Sequence, residues 1–422
     1  MKIAFYGATG SNDFGDYAMV VHNIQCIANA CNDTEFYIIT PDKYITLKYL
    51  YENILDRNLL KRIELVSEPV VYNTVDLFID KLSGRYLNRY YYSNKVFNEV
   101  INKNYNHINW EFLNYIKKAD ILVYNGGGYL QHSWKEKNIV FSIAYVIAAQ
   151  MNKKVYFLGN SIGPLFSYDK YIKRSIHYIS KILVRDGKNY TAKLLDRYKF
   201  KNYVCGPDDL MFACEKYQNL YNLFLEKLSN KKSNGYIIVE VMAWIEKSNK
   251  GTEYILRCLS EFINYVIETK NKNVLLVIFD NDDWKAKVFI DEIYDKSLNK
   301  EKIFLYKKIN NIYDIFGFYR YCDYSLSFKY HPLILALGNK KPCTAIICDN
   351  DGYYESKLKG AFDTCEVDQS VFHIDEVTTE KLIQSFEKKQ NIMSSEKENE
   401  LKSIRYNYIN DIITEINTLT DV

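Results

Sequence analysis

The stretch KIAFYGATGSNDFGDYAMVV, residues 2–21, decides how the rest of the chain is read. An apolar run of strand length meets glycines at positions 7, 10 and 15, and a helical pattern, roughly YAMVVHNIQCIANAC, follows at once. Strand, glycine loop and helix in that order open a parallel α/β sheet. The glycine spacing is not G-x-G-x-x-G, so the dinucleotide fingerprint is absent. Asp16 stands at the start of the helix, where a carboxylate caps backbone N–H groups and blocks the helix end as an anion site. The same carboxylate suits a neutral hydroxylated ligand, as hydrogen-bond acceptor or general base. Asn12 and Asp13 add polar side chains to this loop, and Gly15 immediately precedes Asp16.

The opening rhythm continues through FYIIT (36–40), DILVYN (120–125), VYFLG (155–159), ILVR (182–185) and YVCG (203–206), with helices at 139–151 and 170–181. Residues 43–118 interrupt it as a tyrosine-rich helical insertion. A polar stretch, EKLSNKKSNG (226–235), marks a break. The rhythm then restarts with YIIVEVM (236–242), VLLVIFD (274–280), IFLYK (303–307), YSLSF (324–328) and CTAII (343–347), and ends in a charged helical tail over about 378–420. The expected fold is α/β, with two Rossmann-like domains: an N-terminal one over 1–230 that carries the insertion, and a second over 231–376. The charged helices of 377–422 are candidates to pack back on the N-terminal domain. Ligands of such sheets sit beyond the carboxyl ends of the strands, so a cleft between the two domains is the expected location of the chemistry.

Composition narrows the function. Apolar residues make up 48% of the 422 and charged residues 25%, as in ordinary globular proteins. A net charge of +3 is too mild for the concentrated basic face of a nucleic-acid binder. The nine cysteines are odd in number and form no C-x-x-C, which argues against both a disulfide framework and a cysteine metal site. No cofactor and no metal are expected. KIAFY is too short for a signal-peptide core and VFSIAYVIAAQ (140–150) too short for a membrane span. A cytoplasmic location follows, with peripheral contact at the inner membrane face left open through the basic helix 170–181 and the tail.

Several other strand ends carry candidate ligand groups. YNGGGYLQ (124–131) offers Gly127 and Gly128, where backbone can approach a ligand closely. FLGNSIGP (157–164) offers Asn160, Ser161 and Gly163. Arg185 ends the strand ILVR, and a guanidinium emerging there suits a carboxylate or phosphate; a salt bridge with Asp186 or another acid is the alternative. In YSLSFKYHPLILALG (324–338), Lys329 and His331 stand before Pro332 at an expected helix start. Free N–H groups, the helix dipole and a lysine make an anion site there, in which His331 can change protonation as a dianion binds.

In chain order these segments resemble the polysaccharide pyruvyl transferase family. The resemblance rests on GATGSNDFGD with Gly15 and Asp16, ADILVYNGGG, GNSIGP, VRDG, CGPDD and KYHPLILALGNKKP, which together span residues 7–342. Lys329 stands where the family usually has arginine, which keeps the charge and loses the bidentate fork. The resemblance implies a GT-B-like arrangement of the two domains. It also implies transfer of a pyruvyl group from phosphoenolpyruvate to sugar hydroxyls of a glycan or lipid-linked glycan, with release of phosphate. On that reading His331, Asp16 and Arg185 are the catalytic candidates, and Lys329, Asn12, Gly15, Gly127, Gly128, Asn160, Ser161 and Gly163 the substrate-binding ones. A GT-B glycosyltransferase using a nucleotide sugar, and a glycan-binding protein without turnover, stay open as alternatives.

Overall fold

The computed structural model describes residues 1–72, 87–134, 136–217, 234–388 and 392–420. Contacts divide the chain into two compact units, one of Met1–Ser11, Met19–Asp208 and Ser403–Val422, the other of Asn12–Ala18 and Asp209–Lys402. The expected break at 226–235 falls largely among residues 218–233, outside the described residues.

The first unit is built on a parallel sheet of β1 (Lys2–Tyr6), β2 (Glu35–Thr40), β3 (Ile63–Ser67), β4 (Ile121–Tyr124), β5 (Gly127–Leu130), β6 (Lys154–Ile162), β7 (Lys181–Val184) and β8 (Tyr203–Cys205). Their order is β3-β2-β1-β4-β6-β7-β8, with β5 paired to β6. The order reverses between β1 and β4, which makes the carboxyl ends of those strands the switch point. The strands are near-continuous apolar runs because both faces are covered. The helix Lys137–Gln150 is correspondingly apolar all round, with Ile139, Ile143, Tyr145 and Ile147 fully buried.

Three local readings change. The 43–118 stretch is not wholly helical: β3 lies inside it as the sheet's edge strand, held by the pairing of Ile63–Ser67 with Phe36–Thr40. Residues 73–86 of that stretch lie outside the described residues. The expected helix 170–181 is shorter, Asp169–Ser175 followed by a 3-10 turn Ile176–Tyr178, because Ser180 N–H already donates to Val155 O in the sheet. The two glycine-rich loops are strand rather than turn. Gly127 and Gly128 lie in β5, Asn160 and Ser161 in β6, and Gly127 pairs with Asn160. A Cβ at Gly127 would meet the Tyr129 ring at 1.9 Å, so glycine is needed there for that ring.

The second unit repeats the design with β9 (Tyr236–Glu240), β10 (Asn273–Val277), β11 (Ile303–Tyr306), β12 (Tyr324–Ser327), β13 (Cys343–Ile347) and β14 (Val371–His373) in the order β11-β10-β9-β12-β13-β14. All pairs are parallel, and the switch point falls between β9 and β12. One face is covered by the helix Thr252–Lys270, which buries Ile255, Leu259, Phe262, Ile263 and Val266 at helical spacing. Each such side chain contributes about 1.5–3 kcal/mol on burial.

The helix Ser395–Thr420 ends on the first unit. There the Tyr408 hydroxyl donates to Phe157 O at 2.8 Å, and Arg405 Nη2 donates to Asn23 Oδ1 at 2.6 Å. Among the described residues no helix is long and apolar enough to cross a membrane.

The tightest backbone approach in the second unit is at Gly338, where a Cβ would stand 1.6 Å from Met211 O. Gly338→Ala should therefore destabilise by at least the about 1–3 kcal/mol usual for overpacking. An unchanged midpoint of chemical unfolding would contradict this packing.

Candidate active site

The candidate site lies at the switch point of the second unit. Glu240 is the last residue of β9, and Phe328–His331 follow β12 directly. The helix after β12 runs Tyr330–Gly338, two residues earlier than Pro332 suggested, so Lys329 is its N-cap and His331 lies inside its first turn. The Glu240 carboxylate fixes this turn: Oε2 accepts from Phe328 N–H at 2.7 Å and from Lys329 N–H at 2.9 Å.

Residues 12–18 pack onto the same place. Phe14 N–H donates to Phe279 O at 2.7 Å, Asp13 forms an antiparallel bridge with Asp280, and Asn12 Nδ2 donates to Asp282 Oδ2 at 2.8 Å. Phe14 is fully buried, edge-on to Phe279 and Phe316. The Lys329 ammonium meets Asp13 Oδ2 at 2.6 Å and lies 4.0 Å from Asp280 Oδ2. Its charge is thus committed to two carboxylates that hold the 12–15 segment. Asp13 Oδ1 in turn accepts from Gly15 N–H at 3.0 Å, at the start of the helix Phe14–Ala30.

Gly15 explains itself through His331. A Cβ on Gly15 would stand 1.7 Å from His331 Nδ1, so the imidazole lies directly against the glycine backbone. Asp16, half-buried in the first helical turn, is the next residue. Asn12, Gly15, Asp16, Lys329 and His331 therefore all belong to one unit. The domain bounds expected from sequence separate them, with the loop on the N-terminal domain and the basic corner on the second.

Electrostatically the site is acidic around one committed lysine. Burial works against the Lys329 charge, but Asp13 and Asp280 overcome it and hold the ammonium above its ordinary range. Burial likewise opposes ionisation of Asp13, yet Lys329 keeps its carboxyl below the ordinary value. Glu240 is pushed up to about 7 by burial, against the pull of Lys329 and the two backbone N–H groups. Burial also raises Asp280.

The switch point of the first unit is different in kind. Asn125, just past β4, accepts from Asn23 Nδ2 at 2.6 Å, and its carbonyl accepts from Asn160 Nδ2 at 3.1 Å. Arg405 closes the chain at Asn23, and all four side chains are buried. Arg185 does not emerge from its strand as expected. It is 1% exposed, with Nη1 donating to Asp208 Oδ2 at 2.6 Å and Nε donating to Ser161 Oγ at 3.2 Å. Its partner is Asp208 of the CGPDD segment, not Asp186, which instead accepts from Thr191 Oγ1 at 2.6 Å. Gly163 follows β6, its N–H donating to Leu130 O at 2.7 Å. The polar groups that the sequence offered to a ligand on this sheet thus bond chiefly to one another.

Glu240, Asp280 and Asp208 were missed as site residues. Glu240 carried a signal, as the one charge in the apolar run YIIVEVM. Asp280 ends the apolar run VLLVIFD and Asp208 stands in CGPDD, but neither position reveals its partner, because Lys329 and Arg185 are distant in sequence. A groove of roughly 880 Å³ in the first unit is lined by Lys153, Lys154, His177, Lys181 and Asp411. Lys154 and Lys181 begin β6 and β7, so it opens at the amino ends of the strands, away from the switch point.

Comparison with known proteins agrees with this architecture. The family model described as polysaccharide pyruvyl transferase matches residues 13–350. No curated protein gives a match. Among solved structures, the UDP-GlcNAc 2-epimerase from Methanocaldococcus jannaschii superposes with a TM-score of 0.57 at 13% identity, covering 96% of this chain and 100% of the other. A putative UDP-N-acetylglucosamine 2-epimerase from Listeria monocytogenes gives 0.59 at 11% identity, with 100% and 96% covered. A glycosyltransferase from Rickettsia africae gives 0.50 at 14%, with 100% and 97% covered. At these identities the likeness is one of fold: two parallel-sheet α/β domains of the GT-B kind.

The buried pair yields a clear expectation. Arg185→Met leaves Asp208 charged and buried, which costs about 3–5 kcal/mol. Adding Asp208→Leu should recover most of that loss in a thermal or denaturant melt. If Arg185→Met melts like wild type, the pair does not support the first unit.

Proposed function

We propose, from the premise that the chain belongs to the polysaccharide pyruvyl transferase family, that it moves a pyruvyl group from phosphoenolpyruvate to sugar hydroxyls of a cell-surface polysaccharide or its lipid-linked precursor. The observation that carries this reading is the packing of His331 on Gly15, beside Asp16, at the switch point of the second unit. His331 and the Gly15–Asp16 backbone lie on two segments that are fixed to each other through Lys329 and Asp13.

The chemistry needs one proton delivered to C3 of phosphoenolpyruvate while a sugar oxygen bonds to C2. His331 is assigned the proton delivery and the contact with phosphate, and Asp16 the removal of the hydroxyl proton. The C2–O bond to phosphate then breaks. A second sugar hydroxyl takes its place to leave a ketal, and its proton leaves with the phosphate. No cofactor enters this sequence. Positive support for the leaving group is the largest electrostatic requirement. Lys329 serves it indirectly, by holding the turn that presents His331. Arg185 is assigned to the framework of the first unit, since its guanidinium is paired and buried. We place the reaction in the cytoplasm, at the inner membrane face where the acceptor is lipid-linked.

The test is phosphate release and glycan mass gain when the protein is given phosphoenolpyruvate and candidate glycans. His331→Ala should lose at least about a hundredfold in rate, the scale of a lost acid–base group. Gly15→Ala should lose a comparable factor, because its Cβ displaces the imidazole. Consumption of a nucleotide sugar with no use of phosphoenolpyruvate would overturn the assignment.

A further inference from the structure

Glu240 has one feature that the proposed reaction does not use. Its side chain is fully buried, Oε2 receives the two N–H groups of the Phe328–Lys329 turn, and Oε1 is buried with no partner. A buried carboxylate with one bare oxygen is costly when charged, and a proton on Oε1 removes the charge while Oε2 keeps both N–H bonds. The turn can therefore be held in either protonation state.

The groups facing this carboxyl come from every neighbouring segment. Lys329 stands on the turn after β12, and Asp13 on the docked 12–18 segment. Asp280, after β10, lies 4.0 Å from the Lys329 ammonium and is bridged to Asp13. Tyr319 on the helix Ile312–Tyr321, Cys348 after β13, and Tyr354 on the helix Tyr353–Cys365 also face it, and burial holds all three in their neutral forms at physiological pH; further out, His331 acts on Asp13 and Lys247 on Cys348. Lys329 is therefore the one cation among these facing groups, and Asp13 already neutralises it. Whether the turn that carries His331 attracts or repels an incoming anion depends on the remaining carboxyl groups, of which Glu240 is the one bonded to the turn itself.

We propose that Glu240 is a positioning residue that also sets the affinity of the site for its anionic donor: it holds the Phe328–Lys329 turn whether or not it carries a proton, and its ionisation weakens anion binding there. The proposal deepens the phosphoenolpyruvate reading and rests on it for the identity of the donor. The anion affinity itself can be measured without turnover. Burial pushes Glu240 up to about 7, which puts its change of charge inside the working range. By linkage, an anion that binds the neutral form better must draw a proton onto Glu240 as it binds.

The experiment uses sulfate, which does not titrate in this range, as the probe. Its dissociation constant is measured for wild type and Glu240→Gln from pH 5.5 to 8.5. Glutamine keeps an oxygen for the two N–H groups and cannot ionise. The ratio of the wild-type to the Glu240→Gln dissociation constant should rise about tenfold across that range. A flat ratio would reduce Glu240 to a hydrogen-bond acceptor and overturn the proposal. Should Glu240→Gln not fold, infrared difference spectra of wild type at pH 7 give the second readout. Gain of a protonated-carboxyl band on adding sulfate supports the proposal, and no gain refutes it. Sulfate linkage without any use of phosphoenolpyruvate would refute the donor and leave the role of Glu240 standing.

Discussion

A single ammonium group organises the second unit's functional end. Lys329 is drawn to Asp13 and Asp280, and through Asp13 it anchors a segment that is more than three hundred residues away in sequence. A lysine buried among carboxylates is not available as a free positive charge, because its attraction is already spent on its neighbours. It confers geometry instead. With residues 12–15 clamped, Gly15 can serve as the floor for His331, and Asp16 follows one residue later. Lysine, a compact point charge, suits two neighbouring carboxylates at once, whereas the planar fork of arginine favours one bidentate partner.

The first unit solves a different problem at the equivalent place. Its switch point is filled with amides and one buried ion pair that bond chiefly to other residues of the unit. Such a network is stable only when nearly complete, since a buried polar group without a partner loses its hydration for nothing. The two sheets share the order of their first four strands but not their chemistry. One end is a rigid polar floor, and the other holds titratable groups in unequal environments.

Much of the architecture was legible in the sequence because both sheets are parallel and buried, so their strands are written as short apolar runs between helices. IAFY, FYIIT, ILVR, VLLVIFD and CTAII all mark real strands. Where the reading failed, long-range forces outweighed local pattern. The edge strand β3 was missed inside the tyrosine-rich insertion because an edge strand buries little and need not alternate cleanly; only Val66 is buried in it. GGG and GNSIG read as turns, since glycine is the usual residue of turns, yet neighbouring strands draw both into the sheet. The same limit governs the site. Lys329, His331, Gly15 and Asp16 could be picked as functional residue types, but nothing local reveals that they belong to one unit or that Arg185 points inward to Asp208.

The membership of residues 403–422 in the first unit bears on how the chain is made. Synthesis runs from the amino end, and domains commonly fold as they emerge. Here the amino-terminal unit is completed by the later segment, since Arg405 closes the amide chain at Asn23 and Tyr408 bonds to carbonyls of two neighbouring strands. The second unit has its whole complement by residue 402, its early contribution from residues 12–18 having emerged long before. On the ribosome the expected order is therefore inverted: the unit that is begun first is finished last, and the first sheet waits with an unfilled polar seam until the final helix arrives.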